Sequence, residues 1–262
     1  MTDRNGTASG RKRKGRIIVG ASLTVPAVLV IAMVIYLNIY YHAVDVDDYL
    51  AGSETVTVEE FENGWYFHGE NADTALIFYP GAKVEASAYA PLMYELAESG
   101  IDCFLVRMPL RMAFFGLSTA LDIVEGWDYG TWILSGHSLG GAMAASCAAS
   151  NPGTFDGLLL LAAYSTQSLT EDDLWVLSLY GSEDQVLNMD NAISGREMMP
   201  EEYTEICIEG GNHAQFGSYG EQDGDGMAQI SAQEQRGAVT AALLEQLGMM
   251  GQDTIHNDDL SG

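Results

Sequence analysis

Positive charge is scarce in this chain. Eleven of its 262 residues are Lys or Arg against 37 Asp or Glu, a formal net charge of −26 at pH 7. Six of the bases (Arg4, Arg11, Lys12, Arg13, Lys14, Arg16) precede Ile17, where Asp3 is the only acid. The rest of the chain therefore sets five bases against 36 acids. Such a surface repels nucleic-acid phosphates and anionic headgroups, so no nucleic-acid partner is expected, and the excess acid reads as a solubility or salt-adapted surface. Cysteine is equally thin. Cys103, Cys147 and Cys207 are odd in number and form no C-x-x-C, which excludes a complete disulfide framework and a thiolate metal site. Their apolar contexts predict buried thiols. No metal-ligand cluster or dinucleotide fingerprint is present, and the glycine-rich stretch 136–141 lacks the lysine of a phosphate loop. No cofactor is expected, and there is no internal repeat.

One long hydrophobic run is present. Ile17–Tyr41 (IIVGASLTVPAVLVIAMVIYLNIYY) carries no charge over 25 residues, and about 20 apolar residues span a bilayer core. Pro26 is tolerable there, and Tyr36, Tyr40 and Tyr41 suit an interfacial aromatic belt. The run is long for a signal-peptide core and no A-x-A site follows, so an uncleaved anchor is favoured over a cleaved leader or a buried core helix. Bases before it and acids from Asp45 onward orient the N-terminus to the cytoplasm and the remainder outside. The resulting division is a basic cytoplasmic tail (1–16), a transmembrane anchor (17–41), an acidic linker (42–54), one folded domain (55–248) and a disordered tail (249–262).

Within the domain, strands are predicted at 55–61 and 64–69 (a hairpin), 74–79, 101–106, 132–136, 158–163, 174–180 and 203–208. Helices are predicted at 89–98, 118–125, 139–150, 189–196 and 226–247. Alternating strands and helices imply a mostly parallel sheet covered on both faces. The short links on either side of 158–163 leave no room for a large lid.

The stretch Trp132-Ile-Leu-Ser-Gly-His-Ser138-Leu-Gly-Gly joins an apolar strand to a helix of small residues through G-x-S-x-G. In such an elbow the serine occupies a strained strand-to-helix turn and its hydroxyl projects from the top of a sheet. A nucleophilic serine needs a base and an acid that orients the base. Asp184, in Gly181-Ser-Glu-Asp184, follows one strand, with Glu183 and Asp190 as alternatives. His213 follows the last strand, whereas His42, His68, His137 and His256 are badly placed. Ser138, Asp184 and His213 thus fall in the order serine, acid, histidine on strand-end loops.

With Tyr79-Pro-Gly-Ala82, Gly136-His-Ser-Leu-Gly140, Gly181-Ser-Glu-Asp184 and Gly211-Asn-His213, the chain resembles an α/β-hydrolase, in particular the compact, lidless dienelactone-hydrolase-like branch. Dienelactone hydrolases proper use cysteine where this elbow has Ser138, so their substrate does not carry over. The resemblance implies that Ser138 attacks an acyl carbonyl, His213 serves as base and then acid, and Asp184 holds the imidazole. The Leu139 and Ala82 amides would hold the oxyanion. The chain then reads as a membrane-anchored serine hydrolase of carboxylic esters or thioesters acting on a small or envelope-derived acyl substrate. A silent binding module, an acyltransferase and a peptidase are the alternatives. Met108, Leu110, Met112, Phe114 and Phe115 on the loop 108–116 have two readings, an acyl pocket or core beneath a loop. Lys83 is either a reader of a substrate carboxylate or phosphate, or a solvated or salt-bridged lysine.

Overall fold

The computed structural model describes residues 27–29, 33, 38–70 and 72–249. The chain divides into a unit ending at Tyr40 and one beginning at Tyr41. Most of the expected anchor, the basic tail and residues 250–262 lie outside the described residues. Among the described residues no helix is long and apolar enough to cross a membrane.

From Tyr41 on, the short helix α1 (Asp47–Ala51) precedes the hairpin β1 (Thr57–Phe61) and β2 (Gly64–His68). Then follow β3 (Thr74–Tyr79), α2 (Ala90–Glu98), β4 (Asp102–Val106), α3 (Thr119–Gly126), β5 (Thr131–His137), α4 (Leu139–Ser150), β6 (Gly157–Leu161), β7 (Trp175–Gly181), α5 (Met189–Gly195), β8 (Tyr203–Ile208) and α6 (Ala232–Gln246). The eight strands form one sheet in the order β1-β2-β4-β3-β5-β6-β7-β8. β3 to β8 run parallel, and β2 is antiparallel to both β1 and β4. This is the α/β-hydrolase fold, with no large lid between the strands.

The central strands are apolar throughout because both sheet faces are covered. Alternate side chains serve opposite layers: Leu76 and Phe78 pack with Leu92 and Leu96 of α2 and Val239 and Leu243 of α6. Ala75, Ile77 and Tyr79 pack on the other face with Ile123 of α3 and Ala144, Ala145 and Ala148 of α4. The small residues of α4 let that helix approach the sheet closely. A Cβ on Gly140 would stand 2.1 Å from the Tyr79 carbonyl oxygen, and one on Gly136 2.5 Å from the Gly140 carbonyl carbon. Backbone cannot yield there as a side chain can. Gly140→Ala is therefore expected to destabilise the fold by about 3 kcal/mol, read as a lower midpoint in chemical denaturation.

Residues 42–54, expected as an acidic linker, are tied to the domain at several points. Tyr41 donates its N–H to Lys83 O (2.8 Å) and accepts from Glu85 N (2.9 Å), and Val44 N–H reaches Ser218 O (2.8 Å). Val46 is buried in the core. Tyr41, read as part of an interfacial belt, instead packs its ring 5.5 Å from that of Tyr219. The last helix begins at Ala232, not Gly226, because Ser231 and Glu234 form a capping box, each side chain bonding the other's backbone N–H (3.2 and 2.8 Å). Cys103 and Cys147 are buried, but Cys207 is exposed. It lies on β8, one of the sheet's two edge strands. Glu59 and Glu60 on the opposite edge, β1, and Glu201, Glu202 and Glu209 flanking β8 are exposed as well.

Candidate active site

The site lies at the C-terminal ends of β3, β5, β7 and β8. Ser138, between β5 and α4, has φ 54° and ψ −124°. This left-handed backbone is costly for a residue with a Cβ, and it persists because the surroundings over-determine it. Gly136 and Gly140 pinch β5 and α4 together, Ser138 N–H donates to Leu161 O (2.9 Å), and Ser138 O accepts from Ala142 N (3.1 Å). Leu139 is the first residue of α4, so its amide has no intrahelical acceptor. The other expected oxyanion donor, Ala82, lies in the turn after β3. Its neighbours are engaged, Gly81 N–H with Tyr89 Oη (3.1 Å) and Lys83 N–H with Arg111 O (2.9 Å). Among the described residues no protein acceptor takes the Ala82 N–H.

Asp184 and His213 meet as the sequence order requires. His213 Nδ1 is 2.8 Å from Asp184 Oδ2, with both side chains buried. The other carboxylate oxygen, Oδ1, accepts the N–H groups of Val186 and Leu187, each at 2.8 Å. A carboxylate so placed accepts the Nδ1 proton, which leaves Nε2 as the basic nitrogen of His213. That Nε2 is buried and hydrogen-bonds to no protein atom, Ser138 included, in this conformation. The His137 ring, adjoining Ser138 in sequence, lies 4.5 Å from the His213 ring between centroids, which brings the elbow and the base together.

The alternatives are occupied elsewhere. Glu183 bonds Ser182 and Gln229. Asp190 sits in the first turn of α5. His68 is 2.7 Å from the buried Asp102, at the start of β4 and thus at the opposite end of the strands. Burial holds His137 well below the usual imidazole range, and the neighbouring His213 adds to the effect. An unfolded His137 binds a proton at about pH 6.5 and the folded one does not, so stability falls as pH drops through that value. His137→Gln is expected to remove up to ~1.4 kcal/mol per pH unit of this acid loss, measured by thermal melts from about pH 7 to about pH 5.

The loop 108–116 divides between its two readings. Met108 is buried in the core, whereas Leu110, Phe114 and Phe115 are about half exposed. The Phe114 and Phe115 rings lie 4.3 Å apart, on a one-turn 3-10 helix that packs against α4. Lys83, Leu110 and Arg111 share left-handed φ values of 58°, 53° and 57°.

Spacing did not point to the residues that hold the His213 loop. Asp225 Oδ2 accepts Ala214 N–H (2.8 Å), and its Oδ1 accepts the N–H of Gln185 (3.3 Å) and of Gly226 (2.8 Å), tying the acid loop to the histidine loop. Gln235, fully buried on α6, accepts Asn212 N–H (3.0 Å) and donates to Asn212 O (2.8 Å). Among the described residues no group of three or more His, Cys, Asp or Glu side chains is arranged to hold a metal ion.

Residues 75–237, more than half of the chain, match the model of the alpha/beta hydrolase family, and the chain belongs to that family. Solved structures agree on the fold at low identity. A CIB-like hydrolase from Thermoplasma acidophilum superposes with a TM-score of 0.56 at 11% identity, covering 72% of this chain and 99% of its own. Est1E from Butyrivibrio proteoclasticus gives 0.51 at 15% identity, covering 74% and 100%. Its ferulic-acid-bound form gives 0.52 at 13% identity, covering 74% and 95%. No curated protein matches the sequence.

Proposed function

We propose that the chain is a membrane-anchored serine hydrolase that cleaves carboxylic ester or thioester bonds of a small or envelope-derived acyl substrate. The observation that carries this reading is the buried Asp184–His213 hydrogen bond, which leaves His213 Nε2 basic and unpartnered beside the strained Ser138 elbow. Substrate binding draws Ser138 Oγ and Nε2 into hydrogen-bond contact, since such bonds tighten in the complex. Ser138 then attacks the acyl carbonyl as His213 takes its proton. Leu139 and Ala82 amides hold the oxyanion, each donor contributing on the order of 3 kcal/mol to the barrier reduction. The protonated His213, steadied by Asp184, gives its proton to the leaving group. Water activated by the same imidazole then cleaves the acyl-enzyme. Phe114 and Phe115 would offer the acyl chain an apolar ledge, and Lys83, next to Ala82 in sequence, is the proposed reader of a carboxylate or phosphate on the substrate.

The membrane assignment rests on the uncharged run 17–41, which ends where Tyr41 packs on the domain and in which Val28, Leu29, Met33 and Ile39 are exposed apolar side chains, and on the basic residues before it, which favour a cytoplasmic N-terminus with the hydrolase domain outside. The test is a fluorophosphonate probe applied to the full-length protein in detergent. Covalent labelling of Ser138, lost in Ser138→Ala, supports the reading, and folded wild type that takes no label overturns it.

A further inference from the structure

Tyr89 and His137 have no part in the steps above, yet both are fully buried within reach of the reacting groups. Tyr89 closes the 3-10 turn Ala86–Tyr89 that follows the oxyanion turn. Its ring packs 4.8 Å from Phe78 and 6.4 Å from Tyr219. Its hydroxyl accepts the Gly81 N–H at 3.1 Å and stands 2.8 Å from His137 Nδ1. The Gly81 amide takes one of the hydroxyl's two lone pairs, and donation of the hydroxyl proton to His137 Nδ1 completes the pair. That bond makes Nδ1 an acceptor and puts the imidazole proton on Nε2. Gly81 sits in the crook of these two side chains. A Cβ there would be 2.9 Å from both His137 Nδ1 and Tyr89 Oη.

We propose that Tyr89 and His137 are positioning residues, which lock the turn bearing the Ala82 amide to the elbow bearing Ser138 and present a neutral imidazole to His213. The proposal rests on the serine-hydrolase reading. Its first part follows from the chain of contacts: Gly81 is peptide-bonded to Ala82, and His137 to Ser138. One hydroxyl therefore couples the second oxyanion donor to the nucleophile. Its second part follows from charge. His213 becomes an imidazolium when it takes the serine proton, and a charged ring 4.5 Å away would oppose that step. The Tyr89 proton occupies Nδ1 and burial disfavours a second charge, so His137 stays neutral throughout.

Tyr89→Phe removes the hydroxyl and keeps the ring. In the full-length protein, active sites are counted by titration with a fluorophosphonate, and hydrolysis of a p-nitrophenyl ester is expressed per titrated site. The expected result is a kcat per site reduced about 10- to 100-fold, with KM within about twofold of wild type. Affinity for a boronic-acid transition-state analogue should fall in parallel. Tyr219→Phe removes another hydroxyl of the same aromatic cluster, bonded to Gln222 rather than to the site, and is expected to leave kcat per site within about twofold. In wild type, long-range nitrogen NMR should show His137 with Nε2 protonated and Nδ1 bare. Either an unchanged kcat per site or a loss confined to the fraction of sites titrated overturns the proposal. A wild-type His137 protonated at Nδ1 does the same, even where Tyr89→Phe folds poorly. Wild type without titratable sites overturns the hydrolase reading itself, whereas active wild type beside an indifferent Tyr89→Phe sinks only the positioning role.

Discussion

Ser138→Ala should reduce kcat by roughly 10⁵- to 10⁶-fold and abolish fluorophosphonate labelling while leaving the fold intact. The geometry of the elbow does not depend on the hydroxyl. It is imposed by the contacts of Gly136 and Gly140 and by the Ser138 N–H bond to Leu161. A companion variant separates chemistry from strain. Ser138→Gly loses the proposed nucleophile equally, but glycine occupies φ 54°, ψ −124° without the Cβ penalty. That variant should be more stable than wild type by on the order of 1 kcal/mol, seen as a raised midpoint in thermal or chemical unfolding. Steady-state turnover by Ser138→Ala above about 1% of wild type would show that another group carries the reaction.

The second large effect is expected at Asp184. In Asp184→Asn the side-chain oxygen remains the best acceptor for the Val186 and Leu187 amides, which already hold one carboxylate oxygen at 2.8 Å each. The new NH₂ group must then face His213 Nδ1. Two donors cannot share that contact, so Nδ1 becomes an acceptor and the imidazole proton moves to Nε2. In this tautomer His213 cannot accept the serine proton, although every atom stays nearly in place. A loss in kcat of about 10⁴-fold is expected, with KM little changed and the far-ultraviolet spectrum unaltered. A loss under about tenfold would mean that Asp184 is structural rather than part of the proton path.

Much of this site was legible because its information is local. The strand before Gly136, the small residues after Ser138, and an acid and a histidine each closely following an apolar strand are patterns within a few residues of one another. The order serine, acid, histidine needs no knowledge of contacts. What escaped reading depends on partners far apart in the chain. Tyr89 and His137 are 48 positions apart, and nothing in the spacing of either marks the shared hydroxyl. Asp225 carries no sequence signal of its own, since its value lies in amides at 185 and 214. Residues 41–51 were missed for a different reason. Their apolar members Tyr41, Val44, Val46, Tyr49 and Leu50 are interleaved with Asp45, Asp47 and Asp48, and that mixture has neither a strand nor a helix period. Only the surface they dock on reveals them as folded. The loop 108–116 shows the same limit at closer range. Met108 and Phe115 are equally apolar in sequence, and one is core while the other stands on the surface.

The two open margins of the sheet have a bearing on how copies of this protein meet. An edge strand offers unpaired N–H and C=O groups to any other chain. Here β1 brings Glu59 to one margin, beside a Glu60 that is paired with Arg107, and Glu201, Glu202 and Glu209 border the other. Margin-to-margin approach therefore sets like charge against like charge, and it also keeps the exposed Cys207 of one molecule away from that of the next. This guard is purely coulombic. Added salt shortens its reach to about 3 Å at 1 M, and acid removes it as the net charge of the chain falls to zero near the sequence pI of 4.1. The same acidic surface thus makes self-association a function of pH and ionic strength, independent of the chemistry proposed at Ser138.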